Sequence, residues 1–180
     1  MRLFHFSDDP GISLFVPRAV RTPSPRPPGR EWLNGPLVWA IDEPRQPMYL
    51  FPRDCPRVLI WPLPGSSQAD RDLWLGDAPM AACIEANWED EVRRGHIHRY
   101  DLPPEGFEDL SDAGMFVSRR PVAPRAMETI ADLPAELAAQ GAELRVVESL
   151  TPLRAVFSST LHASGIRLRN AATWQPPSVP

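Results

Sequence analysis

Apolar positions in this chain come in short runs, and their spacing predicts about seven or eight short strands and four or five short helices. Residues 2–6 read as a strand, with Phe4 and Phe6 on one face and Leu3, His5 and Ser7 on the other. Residues 37–41 form a second strand. Residues 57–61 are apolar almost throughout and read as a central strand. Further strands are expected over 80–86, 96–102, 115–118, 122–130 and 143–147, with a break at Pro121. Asp42 is placed to cap a short helix reaching Phe51, weakened by Pro47 and ended by Pro52. Ser67, Asn87, Asp132 and either Ser149 or Thr151 are placed to cap four more, with Gly76, Gly95 and Gly141 stopping the first three. Residues 161–170 carry no decisive pattern.

The order of these elements is irregular, without strict strand–helix alternation. The expectation is an α+β fold: one compact domain over 1–172, with a split or mixed, mostly antiparallel sheet and several short helices. Residues 17–36 are rich in Pro and Arg and must run extended, because Pro removes amide donors and disfavours helix in the residue before it. Trp32 and Leu33 suggest that part of this loop packs down as a lid. Residues 173–180 read as a loose tail.

Composition narrows the function classes. The chain has 180 residues, 43% hydrophobic and 23% charged, which are globular values. All 19 basic residues are Arg, so every cation is a planar fork suited to carboxylate or phosphate. A net charge of -4 argues against coating of bulk nucleic acid but leaves room for a local basic pocket. Cys55 and Cys83 stand in no metal or redox spacing and read as reduced thiols. With no membrane-length apolar run and no visible signal peptide, a cytoplasmic protein is expected.

Candidate chemistry is scattered. His5 and Ser7 share a strand face and could bond a sugar hydroxyl; the alternative is a strand histidine bonded to a backbone carbonyl. His96, His98 and Tyr100 alternate on another strand, but no third ligand accompanies the pair of histidines, so no metal is expected. In Arg53-Asp54-Cys55-Pro56-Arg57, Arg53 could clamp a carboxylate or phosphate, or bridge to Asp54. Arg167 and Arg169 could take a diphosphate, or pair with Glu143 and Glu148. No Gly-rich phosphate loop and no nucleophile elbow occurs.

Two resemblances follow from these residues. Leu3-Phe4-His5-Phe6-Ser7, Val38-Trp39-Ala40-Ile41, Pro52-Arg53-Asp54-Cys55-Pro56, Val117-Ser118 before Pro121-Val122, and Ile166-Arg167-Leu168-Arg169-Asn170-Ala171 together resemble a bacterial family known only as a domain of unknown function. Roughly the first third is similar to the ADP-ribosyltransferase-like fold, in its His-x-Ser strand, its strand ending Trp-Ala-x-Asp and the aromatic-bearing helix after it. That resemblance implies NAD as ligand. His5 would sit on the ribose with Ser7 beside it, Trp39 or Tyr49 would stack on nicotinamide, and Arg53 or Arg167 would meet the diphosphate. The carboxylate is open between Glu148 and Asp112. Phe6 stands where that superfamily usually has Gly, and no Gln-x-Glu or Glu-x-Glu pair occurs near the end. The alternatives are a non-catalytic module binding a nucleotide or small anion, and an interaction protein using the 17–36 loop on an unknown protein partner.

Overall fold

In the computed structural model, which describes residues 1–174, the chain divides into two compact units. The first takes Met1–Gln46 and His98–Thr129; the second takes Pro47–Ile97 and the chain from Ile130 on. The content is mixed α and β, with two sheets.

The first unit is built on a six-stranded sheet. Its strands are β1 (Leu3–Ser7), β2 (Val38–Asp42), β5 (Ile97–Leu102), β6 (Glu108–Asp109), β7 (Met115–Ser118) and β8 (Ala126–Ile130), in the order β6-β7-β2-β1-β5-β8. β1 pairs antiparallel with β2 and β5, β2 with β7, and β7 with β6. Opposed residues share a face. Leu3, His5 and Ser7 therefore lie beside Leu102, Tyr100 and His98. This face buries Leu3, Val38, Ala40, Tyr100, Leu102 and Phe116 beneath Phe15 and Val122. The Tyr100 hydroxyl donates to the Asp9 carbonyl (2.6 Å) and accepts from the Ile12 amide (3.1 Å), which fixes the loop that carries Phe15. Buried phenols need such partners. The opposite face packs Trp39 against Leu33, Leu37, Leu110 and Val117.

The second unit holds β3 (Arg57–Trp61), β4 (Met80–Glu85), β9 (Ala142–Val147) and β10 (His162–Ile166), in the order β10-β3-β4-β9. The first two pairings are antiparallel and β4–β9 is parallel, so this sheet is mixed. Every residue of β3 and β4 is buried, as expected for central strands. Val58, Ile60, Ala81 and Cys83 share one face, packed with Leu75, Leu150, Val156 and Leu161. The helices are α1 (Gln68–Trp74), α2 (Glu89–Arg94) and α3 (Leu133–Ala139). Ser67 caps α1 through the Asp70 amide, and Asp132 caps α3 through the Ala135 amide.

Local chemistry accounts for the departures from expectation. The segment after β2 forms a 3-10 helix over Glu43–Tyr49, because Pro47 inside it has no amide to donate to an α-helical ladder. Asp42 still caps it, accepting the Arg45 amide at 2.9 Å. Asn87 caps nothing: it lies inside a 3-10 turn, Ala86–Trp88, ahead of α2. The expected strand over 122–130 begins only at Ala126, Val122 instead bridging to Phe15. The undecided 161–170 segment becomes β10 and a 3-10 turn, Leu168–Asn170. The Pro/Arg loop folds back on itself, Asn34 bonding the Ser24 amide and carbonyl and the Arg26 guanidinium. Of the tail, Thr173 bonds Ser149 and Thr151, and Trp174 packs on Arg154; residues 175–180 lie outside the described ones. No helix among the described residues is long and apolar enough to cross a membrane.

Candidate functional site

β1 holds His5 half-buried with Nδ1 at 2.8 Å from the Trp39 carbonyl oxygen and its ring 4.6 Å from that of Phe15. Ser7 is buried, and its hydroxyl accepts the Asp9 amide at 3.1 Å. Both belong to the face covered by Phe15. The alternation along β2 turns the Trp39 ring to the other face, where Arg26 lies over it at 5.8 Å. The Trp39 Nε1 is buried and has no hydrogen-bond partner among the described residues. His5 and the Trp39 ring are thus not on one side of the sheet. Asp112 is exposed in the turn before β7, where its carbonyl accepts the Met115 amide. His98 is buried, with Nδ1 3.0 Å from Thr129 Oγ1, while His96 precedes β5 and is exposed. No group of three metal-ligating side chains is found among the described residues.

The other candidates fall in the second unit, and several converge. β3 opens with Arg57, which is 3% exposed. Its Nε donates to the Met48 carbonyl at 2.8 Å and its Nη1 to the Cys55 carbonyl at 2.9 Å. The guanidinium carbon lies 5.1 Å from the Phe51 ring centre and 5.9 Å from that of Tyr49. Among the described residues no carboxylate pairs with it. Burial pushes its pKa down to about 10, and the nearby Arg167 cation pushes the same way. Buried charges are ordinarily paired. Among the described residues, this one is held by carbonyl dipoles and aromatic faces.

Arg167 joins the same junction. It has a left-handed backbone, φ 56, in the step from β10 to the Leu168–Asn170 turn. Its Nε donates to the Arg53 carbonyl at 3.2 Å and lies 3.8 Å from Asp54 Oδ1. Asn170 donates to the Asp54 carbonyl at 2.7 Å. The segment 52–57 is thereby tied to 167–170. Tyr49 and Arg167 lie near Arg57, while Arg53 contributes its backbone carbonyl to Arg167 and is itself exposed, as is Arg169 on the adjoining turn. The pairing of Arg167 with Glu143 or Glu148 does not form. Glu143 takes Arg145 at 2.9 Å instead, and Glu148 is exposed beyond β9.

A family model described as a family of unknown function (DUF6886) matches residues 4–171. The chain belongs to that family. The matched span carries the first-strand histidine and both halves of the arginine junction in this DUF6886 chain. Comparison with curated proteins and with solved structures finds no match.

Two buried charges were given no site role by the sequence pattern. Arg57 was visible as a cation opening an otherwise apolar strand, and Glu85 as an acid closing one. Glu85 is 1% exposed and accepts the Leu150 amide (3.2 Å) and the Ala172 amide (2.8 Å). Arg57 pairs across the sheet with Ile84, so Glu85 faces the other side and does not neutralise it. Cys55 is fully buried, and burial pushes its thiol up to about 12, which removes it as a nucleophile.

Proposed function

We propose that this chain is a binding module for a small anionic molecule, taken at the arginine junction of its second unit. One observation carries the reading: Arg57 is a buried guanidinium without a carboxylate, beside a second guanidinium that spends one donor on a backbone carbonyl. A bound anion would supply the missing countercharge, and the arginine fork fits phosphate or carboxylate bidentately.

The geometry gives less support to ADP-ribosyl transfer. His5 Nδ1 is engaged by the Trp39 carbonyl, the Trp39 ring is on the opposite face, and Glu148 and Asp112 are exposed in different units. No reaction is assigned to these residues. NAD stays a candidate only through its diphosphate.

A thermal-shift series with citrate, pyrophosphate, AMP, ADP-ribose and NAD tests the reading on wild type, Arg57→Met, Arg167→Gln and His5→Ala. At about 100 times its dissociation constant a ligand adds about 2.7 kcal/mol of stability. The expected result is stabilisation by at least one anion that both arginine variants lose and His5→Ala keeps. Stabilisation by NAD alone, abolished by His5→Ala, would transfer the function to the first strand.

A further inference from the structure

We infer that the anion taken at this junction is the phosphoryl group of a small soluble molecule, a phosphomonoester or diphosphate bridged between Arg57 and Arg167. The inference rests on the binding module proposed above. Three observations point to phosphoryl.

The first is charge. The junction of 49–57 with 166–172 brings the guanidinium groups of Arg57 and Arg167, with Arg169 on the adjoining turn, against the carboxylate of Asp54. Glu85, a further acid nearby, is committed to two backbone amides on the opposite face of the sheet. A monocarboxylate would neutralise about half of that surplus, whereas a phosphomonoester or diphosphate carries two or more negative charges.

The second is donor supply. Arg57 spends Nε and Nη1 on carbonyls, and its Nη2 meets no acceptor among the described residues. Arg167 spends Nε on the Arg53 carbonyl. Each guanidinium is therefore fixed at one edge while Nη donors remain. Three oxygens on one tetrahedral centre can accept from two such forks at once; the two coplanar oxygens of a carboxylate are satisfied by one fork.

The third is rigidity. Met48 and Cys55 hold Arg57 from two sides, and the Phe51 and Tyr49 rings flank it. Arg167 is anchored to the loop that precedes β3, and Asn170 ties the same loop at Asp54. Donors fixed in advance lose little entropy on binding.

Titration calorimetry at fixed ionic strength compares pyrophosphate, inorganic phosphate and AMP with acetate and succinate, succinate matching phosphate in charge but not in shape. Pyrophosphate or AMP should bind at least tenfold more tightly than either carboxylate. Arg167→Gln should weaken that binding at least tenfold, while the unliganded variant still unfolds cooperatively. Because Arg167 is half-exposed, this variant keeps the test valid even if Arg57→Met fails to fold. Equal binding of succinate, or phosphoryl binding indifferent to Arg167→Gln, would overturn the phosphoryl assignment and leave an anion module standing. No heat with any anion would remove both. Phosphatidylcholine vesicles containing phosphatidic acid present the same monoester on a surface. Co-sedimentation with them, without binding of free pyrophosphate or AMP, would overturn the small-molecule part.

Discussion

Replacing Arg57 with Met separates a structural from a functional role for this side chain. A pKa pushed down from the ordinary guanidinium value to about 10 means that the fold disfavours the charged guanidinium by roughly 3 kcal/mol, at about 1.4 kcal/mol for each tenfold change. Met fills a similar volume without the charge and recovers that term. The opposing loss is two hydrogen bonds, to the Met48 and Cys55 carbonyls, at about 1.5 kcal/mol each when the donor is charged. The two contributions cancel. The expected change in unfolding free energy is within about 1 kcal/mol of zero, read from urea denaturation followed by tryptophan fluorescence. Stabilisation by an anionic ligand should disappear in the same variant. A loss of 3 kcal/mol or more would refute the reasoning, because Arg57 would then be a tie that holds the 48–57 turn together. The stability curve at high pH gives a second reading. The unfolded chain keeps its Arg57 proton to higher pH than the native one, so above about pH 10 this group makes wild type gain stability relative to Arg57→Met.

Glu85→Ala should cost about 2–5 kcal/mol, since it strips the Leu150 and Ala172 amides of their acceptor inside the core; faster hydrogen exchange at 170–174 would locate the damage, and exchange unchanged there would count against it. Burial pushes the thiols of Cys83 and Cys55 up to about 11 and about 12, so the native state keeps protons that the unfolded chain releases above about pH 9; stability should fall from there by about 1.4 kcal/mol per pH unit for each thiol, and Cys83→Ala should flatten the slope of melting temperature against pH. Asn34→Ala removes three bonds that pin the Pro/Arg loop and should speed tryptic cleavage after Arg21, measured by mass spectrometry, with the far-ultraviolet spectrum unchanged. Gly114→Ala should destabilise by about 1 kcal/mol or more, because φ +73 disfavours a side chain and the added methyl would meet the Asp42 carboxylate and Arg45; a melting temperature equal to wild type would contradict this.

The strands were legible wherever burial and local propensity agreed. Residues 57–61 form a central strand because an apolar run bounded by Pro56 and Pro62 has one economical fate. Ser67 and Asp132 cap helices because their side chains satisfy amides a few residues on. Asn87 failed because Trp88 and Glu89 continue a helical turn already begun at Ala86, and only tertiary packing decides that. The candidate site was half legible. The pattern of alternation placed His5 with Ser7, but the register of β2 sends the Trp39 ring to the other face. Arg53 and Arg167 were singled out by type. What drew them together was the pairing of β10 with β3, a contact across more than a hundred residues that no local pattern encodes. The decisive cation, Arg57, stood at the end of a motif whose other arginine looked more available.

The most direct measurement is a proton–nitrogen correlation spectrum of the arginine Nε–Hε groups, assigned with Arg57→Met and Arg167→Gln and titrated with pyrophosphate. The account predicts that the Arg57 and Arg167 signals move together and saturate at one equivalent. Signals that move only for other, exposed arginines, or that drift without saturating, would contradict it.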